Sequence, residues 1–251
     1  MAEDNEKANS EQQTKSGNRK IVLLAALAGV IAGIVAVYVM ERPSGNVVDQ
    51  NVSANVAAES DEASAQCALK ADALKALDAA ATGGVAAMRA AEKPISVSHI
   101  AFTGPDGKQM TLGDYKGKTL LVNLWATWCA PCREEMPALD KLQGEKGGSD
   151  FDVVAINIDT GSDDKPKGFL NEIGINNLTL HRDASMSSFN ELKRKNLAFG
   201  LPVTLLVDKD GCQIASMNGP APWDSPEAKN SSKRLKIFSL DKSEMRWLSF
   251  L

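Results

Sequence analysis

The sequence predicts an α/β fold around a central, partly parallel sheet, and three observations carry that expectation. Short apolar runs at residues 120–125, 151–158 and 203–207 read as buried strands. Helical patterns lie between them at 131–142, 167–173 and 186–195. Turn signals at Gly104-Pro-Asp-Gly107 and Asp208-Lys-Asp-Gly211 mark tight reversals, each between two strand candidates. Buried strands alternating with helices imply a sheet covered by those helices. Further short strands are expected near 178–180 and at 213–217.

At 251 residues the chain suits one ordinary domain plus extra segments. It is 43% hydrophobic and 24% charged, as globular proteins are. A net charge of −4 gives no general attraction to nucleic acid. The 4 cysteines are Cys67, Cys129, Cys132 and Cys212, and the 2 histidines are His99 and His181. So few histidines make a Cys/His metal site hard to assemble, and no cofactor or metal is expected.

Residues 1–20 are polar and end in Arg19-Lys20; residues 21–40 then carry no charge and are mostly apolar. A helix of that length spans roughly the 30 Å hydrocarbon core of a bilayer. Lys7, Lys15, Arg19 and Lys20 precede it, whereas Arg42 stands alone just after it. The positive-inside bias then leaves the N-terminus cytoplasmic and exports the rest. A cleaved signal peptide fits less well, because Glu41-Arg42-Pro43 replaces a small-residue cleavage site.

Residues 41–65 are rich in Ser, Asn, Ala and acids and read as a flexible linker. Residues 66–93 read as a helical lead-in. Its first helix begins near Ser64, runs to about Ala81 and breaks at Gly83-Gly84, with a shorter helical stretch to Ala91. The main domain is expected over 94–229. Trp223-Asp-Ser-Pro-Glu227 has the form of a helix start. The basic tail 230–251 shows no pattern that assigns an element.

The chemistry concentrates at Cys129-Ala-Pro-Cys132. Cys129 follows a buried strand and opens a helix, where free N–H groups and the positive end of the macrodipole stabilise a thiolate. Cys132 lies three residues on, on the same helical face, and can attack a mixed disulfide formed at Cys129. Pro131 suits the first turn, which needs no N–H there. Competing readings are half of a structural zinc site, a Cu(I)-holding chaperone using both thiols with His181, and an inert disulfide. A peroxidase would need a cysteine poised for sulfenate chemistry, which this context does not suggest.

Asn123-Leu-Trp-Ala-Thr-Trp-Cys-Ala-Pro-Cys132 followed by Arg-Glu-Glu-Met-Pro137 resembles the membrane-anchored thioredoxin-like family, most closely its TlpA type, and is also similar to the ResA and CcmG/DsbE types. Gly117-Lys-Thr-Leu-Leu-Val-Asn-Leu-Trp125, Val154-Ala-Ile-Asn-Ile-Asp-Thr160, Gly200-Leu-Pro202 and Gly211-Cys-Gln-Ile214 extend the resemblance over about Cys67 to Glu227. It implies a thioredoxin-like fold and thiol–disulfide oxidoreductase activity.

The resemblance implies that Pro202 is a cis proline opposite the CxxC, with the Leu201 backbone pairing with substrate. The alternative is a trans proline starting a strand. Asn123 stands where thioredoxin has a buried aspartate. Glu135 matches a glutamate of related members and would tune the pair or shuttle its protons; a solvated first-turn glutamate is the other reading. Trp125 and Trp128 read as packing residues, with Trp128 also a candidate border of the site. Cys67 and Cys212 are expected to pair, as lone cysteines of an exported protein commonly do, and the resemblance supports that; two free buried thiols remain the alternative.

The resemblance further implies a periplasmic domain anchored in the bacterial inner membrane. It would reduce cysteines of apo copper or haem proteins during assembly of the cytochrome oxidase copper centre or of cytochrome c. A membrane electron donor of the CcdA or DsbD kind would keep the pair reduced.

Overall fold

The computed structural model describes residues 62–69, 74 and 81–229. The expected segments 1–20 and 21–40, residues 41–61 of the linker, most of the first lead-in helix and the tail 230–251 lie outside the described residues. Among the described residues no helix is long and apolar enough to cross a membrane.

The sheet has eight strands in the order β1-β8-β7-β4-β5-β6-β2-β3. These are β1 (Arg89–Ser96), β2 (Ala101–Thr103), β3 (Gln109–Thr111), β4 (Thr119–Trp125), β5 (Phe151–Asn157), β6 (His181–Arg182), β7 (Val203–Val207) and β8 (Cys212–Asn218). The connecting helices are α1 (Ala130–Lys146), α2 (Asp164–Glu172) and α3 (Ser187–Arg194). Every residue of β4 is buried, which is why its sequence, apart from Thr119 and Asn123, runs apolar without alternation. It pairs in parallel with β5 and antiparallel with β7. This mixed α/β sheet is the expected thioredoxin-like arrangement.

Two hairpins sit where the turn signals placed them. Between β7 and β8, the Asp208 carboxylate accepts the N–H groups of Asp210 and Cys212, both at 3.0 Å. Gly211 closes the turn at φ +82°, and a Cβ there would stand 2.9 Å from the Ser98 side chain.

The lead-in departs from expectation in two ways. Its first helix, expected to begin near Ser64, is helical from 62 to 68. Gly83–Val85 is a single 3-10 turn. The helical stretch expected to Ala91 is instead strand β1, paired with β8 from Arg89↔Ser216 to Ser96↔Cys212 across a bulge. Alanine favours helix locally, but Pro94 cannot continue one and biases Lys93 toward extended backbone. A bulged edge strand tolerates that proline, and pairing with β8 overrides propensity.

β6 also falls slightly later than expected. The Asp140 carboxylate takes the N–H groups of Asn176, Asn177 and Leu178 at 3.1, 2.7 and 2.9 Å. Those donors are therefore not available to the sheet, and pairing with β5 starts at His181.

Cys67 and Cys212 form a disulfide with Cα atoms 5.5 Å apart. It fastens the 62–68 helix to the first residue of β8. A hydrogen bond from Ser96 N to Ser64 Oγ at 3.1 Å reinforces the attachment.

Candidate active site

β4 ends at Trp125 and α1 begins at Ala130, so residues 126–129 form the corner that presents the cysteines. Cys129 is the N-cap of α1, and its Sγ accepts from Cys132 N at 3.3 Å. Its own N–H donates to Ala126 O at 3.2 Å, which tightens the corner. Cys129 and Cys132 are joined as a disulfide. Cys132 is wholly buried and Cys129 is 6% exposed, so an incoming nucleophile or substrate meets Cys129 first.

The Leu201–Pro202 peptide is cis. Register places Leu124 opposite Val203, which sets Pro202 at the sheet end that carries the cysteines. Pro202 O accepts from Gly219 N at 2.9 Å, whereas Leu201 makes no backbone–backbone hydrogen bond among the described residues. Trp128 and Phe199 are 67% and 76% exposed. They lie on the two loops that flank the pair. Trp128 is thus no packing residue, unlike Trp125, which is fully buried with its ring 5.7 Å from Phe169.

Glu135 is buried rather than solvated in the first turn. Its Oε1 accepts from Asn123 Nδ2 at 2.8 Å, and its Oε2 from Trp223 Nε1 at 2.7 Å and Ala221 N at 3.1 Å. Burial pushes its carboxyl up to about 7, against the three hydrogen bonds that pull it down. All three partners donate, which suits the charged form. Asn123 also donates to Thr204 Oγ1 at 3.0 Å, while its Oδ1 is buried and unpaired. A half-turn of that amide would offer the oxygen to a protonated Glu135, so the polar core beside the pair can serve either charge state.

Trp223, Ala221 and Thr204 escape sequence reasoning as parts of this site. Trp223 reads there only as a helix start, because nothing local shows that its indole turns back to α1. His181 does not join the cysteines: it lies on β6, two strands from β4, and its Nε2 meets the Tyr115 hydroxyl at 2.9 Å.

A disulfide capping the helix that follows the central strand, with a cis proline just before the neighbouring strand at the same end of the sheet, defines a thioredoxin-like arrangement. The chain belongs to the Redoxin family, whose profile matches residues 87–232. It is similar to the thiol-disulfide oxidoreductase ResA of Bacillus thuringiensis subsp. konkukian, with 30% identity over 121 residues covering 48% of this chain and 66% of that one. The match therefore spans just under two thirds of that relative. The thioredoxin-like protein YneN of Bacillus subtilis is 55% identical over 51 residues, covering 20% of this chain and 29% of that one. Among solved structures, a thiol:disulfide interchange protein of the thioredoxin family from Chlorobium tepidum has 23% identity and a TM-score of 0.47, covering 61% of this chain and all of that one.

Proposed function

We propose that this chain is a thiol–disulfide oxidoreductase that works as a disulfide reductase. The observation that carries this reading is the Cys129–Cys132 disulfide at the N-terminus of α1, with the less buried sulfur on the attacking side. In the reduced protein the Cys129 thiolate attacks a client disulfide. One S–S bond breaks as the mixed disulfide forms, and the departing client thiolate takes a proton. Cys132 then loses its proton and attacks Cys129 Sγ. The client leaves as a dithiol, and two electrons have passed to it. Glu135, one turn beyond Cys132 and poised near neutrality, takes and returns the Cys132 proton. The client chain pairs along the free Leu201 backbone.

The uncharged run 21–40 supports an exported domain anchored in a bacterial inner membrane with a cytoplasmic N-terminus. The clients are then cysteine pairs of apo copper or haem proteins, for the cytochrome oxidase copper centre or cytochrome c. A membrane donor of the CcdA or DsbD type returns two electrons to the pair. Similarity to ResA and the TlpA-type motifs support this assignment.

Two measurements test it. Redox titration in dithiothreitol buffers is expected to place the pair below about −200 mV, nearer thioredoxin than DsbA. Cys132→Ser is expected to hold clients as mixed disulfides released by reductant. Absence of any redox transition at Cys129/Cys132, with stoichiometric Cu(I) binding lost in Cys129→Ser, would make the protein a copper chaperone instead.

A further inference from the structure

Asp159 is a buried carboxylate that the mechanism above does not use, 4% exposed just beyond β5. Its two oxygens accept the Thr127 N–H at 3.0 and 3.3 Å. Thr127 sits in the corner between β4 and α1, two residues before Cys129. Asn157 braces Asp159, donating from Nδ2 at 3.4 Å and accepting the Asp159 N–H at 3.1 Å. Arg182 donates to Asn157 Oδ1, to Asp163 Oδ1 at 2.9 Å and to Gly161 O at 3.0 Å. It is thus spent on the supporting loop, and among the described residues no cation contacts Asp159. The other charged groups around the corner are committed elsewhere. Arg133 lies over Phe169 at 4.9 Å, Glu135 is held by Trp223, and Asp163 pairs with Arg182 and Lys167.

A negative charge held in a dry place opposes a second one nearby. Only Trp128 separates Thr127 from Cys129, so their Cα atoms are within ~8 Å. We propose that Asp159 is a positioning residue for Cys129: its carboxylate fixes the corner through Thr127, and its charge opposes the Cys129 thiolate, so that the pair gives up electrons more readily. The inference rests on the thiol–disulfide reading of the Cys129–Cys132 pair. A plain turn-capping role would need the acceptor but not the charge.

The test uses the full chain in detergent micelles. It is equilibrated with dithiothreitol, whose dithiol reduces Cys129–Cys132 and becomes the cyclic disulfide. Cys129 and Cys132 peptides are scored by alkylation and mass spectrometry at pH 6 and pH 8.5. Asp159→Asn keeps an acceptor for Thr127 and removes the charge. The expected result at pH 8.5 is an equilibrium about tenfold closer to the dithiol, equivalent to about 30 mV. At pH 6, where any thiol is less ionised than at pH 8.5, the shift is expected to be smaller. Hydrogen exchange at the Thr127 amide reads the other half: protected in wild type and Asp159→Asn, fast in Asp159→Ala. An unchanged equilibrium at pH 8.5, or an equal shift at both pH values, overturns the charge effect. Equal Thr127 protection in Asp159→Ala overturns the positioning. Should Asp159→Ala not fold, loss of Thr127 protection in Asp159→Asn overturns it instead. Failure of the wild-type pair to titrate at all removes the thiol–disulfide reading and this inference with it, whereas a normal wild-type titration with an unresponsive Asp159→Asn removes this inference alone.

Discussion

At the scale of single residues, Glu135 couples acidity to stability. Its folded-state value of about 7 exceeds the ordinary 4.5 because burial favours the neutral acid. A raised value means that the folded protein holds the proton more tightly than the unfolded chain. The contribution is therefore complete below about pH 4.5 and disappears as pH climbs through about 7. A shift of that size corresponds to on the order of 3 kcal/mol across the window. Glu135→Gln cannot titrate. Its amide oxygen can still accept from Trp223 and Ala221, and its NH2 can face the otherwise unpaired Asn123 Oδ1 after the amide turns. Urea midpoints of the oxidised protein at pH 5 and pH 8 should therefore differ less in Glu135→Gln than in wild type, with the variant the more stable at pH 8. Identical pH slopes would show that Glu135 does not titrate in this range. If Glu135 takes the Cys132 proton as proposed, the same substitution should lengthen the life of a mixed disulfide at Cys129, seen as its accumulation in quenched samples.

At the scale of elements, Trp128 and Phe199 are large exposed apolar side chains on the segments that lead into Cys129 and into Pro202. Phe199 is held outward by its backbone: its N–H donates to Asn218 Oδ1 at 2.8 Å, and Asn218 Nδ2 donates to Leu197 O at 3.1 Å. On the proposed reading, a client chain lying along Leu201 would cover Phe199. Phe199→Ala should raise KM for a protein disulfide such as insulin by about three- to tenfold and leave reduction of a small aromatic disulfide unchanged. Equal effects on both substrates would remove Phe199 from client binding. The sequence made β4, β5, β7, the helices and the Cys129-Ala-Pro-Cys132 corner readable because each is set by local pattern. β1 was hidden because Arg89-Ala-Ala looks helical until its pairing with β8 is known. The Glu135–Trp223 and Asp159–Thr127 contacts join residues 88 and 32 positions apart, and no local pattern encodes which distant donor a buried carboxylate will meet.

For the whole molecule, β8 separates two kinds of sulfur chemistry. Cys212 opens that strand beside Ser96, and Asn218 closes it beside Val203, at the end that carries Pro202 and the reactive pair. Six residues of extended strand put ~20 Å between those ends. The Cys67–Cys212 bond closes a loop with a sequence separation of 145. The chain-entropy account assigns such a loop at most roughly 5 kcal/mol. Both cysteines are 2% exposed, so the bond is sheltered from exchange with clients. Replacing both cysteines by serine should therefore lower the unfolding free energy by ~3–5 kcal/mol. The dithiothreitol equilibrium of Cys129/Cys132 should stay within about twofold of wild type, because nothing in the substitution alters the 126–129 corner or the Glu135 cluster. Denaturant unfolding and the redox titration, made on the same double variant, separate the two claims. A stable variant with a shifted equilibrium would mean that β8 transmits strain from the lead-in helix to Pro202, and that the second disulfide is part of the redox machinery rather than its fastening.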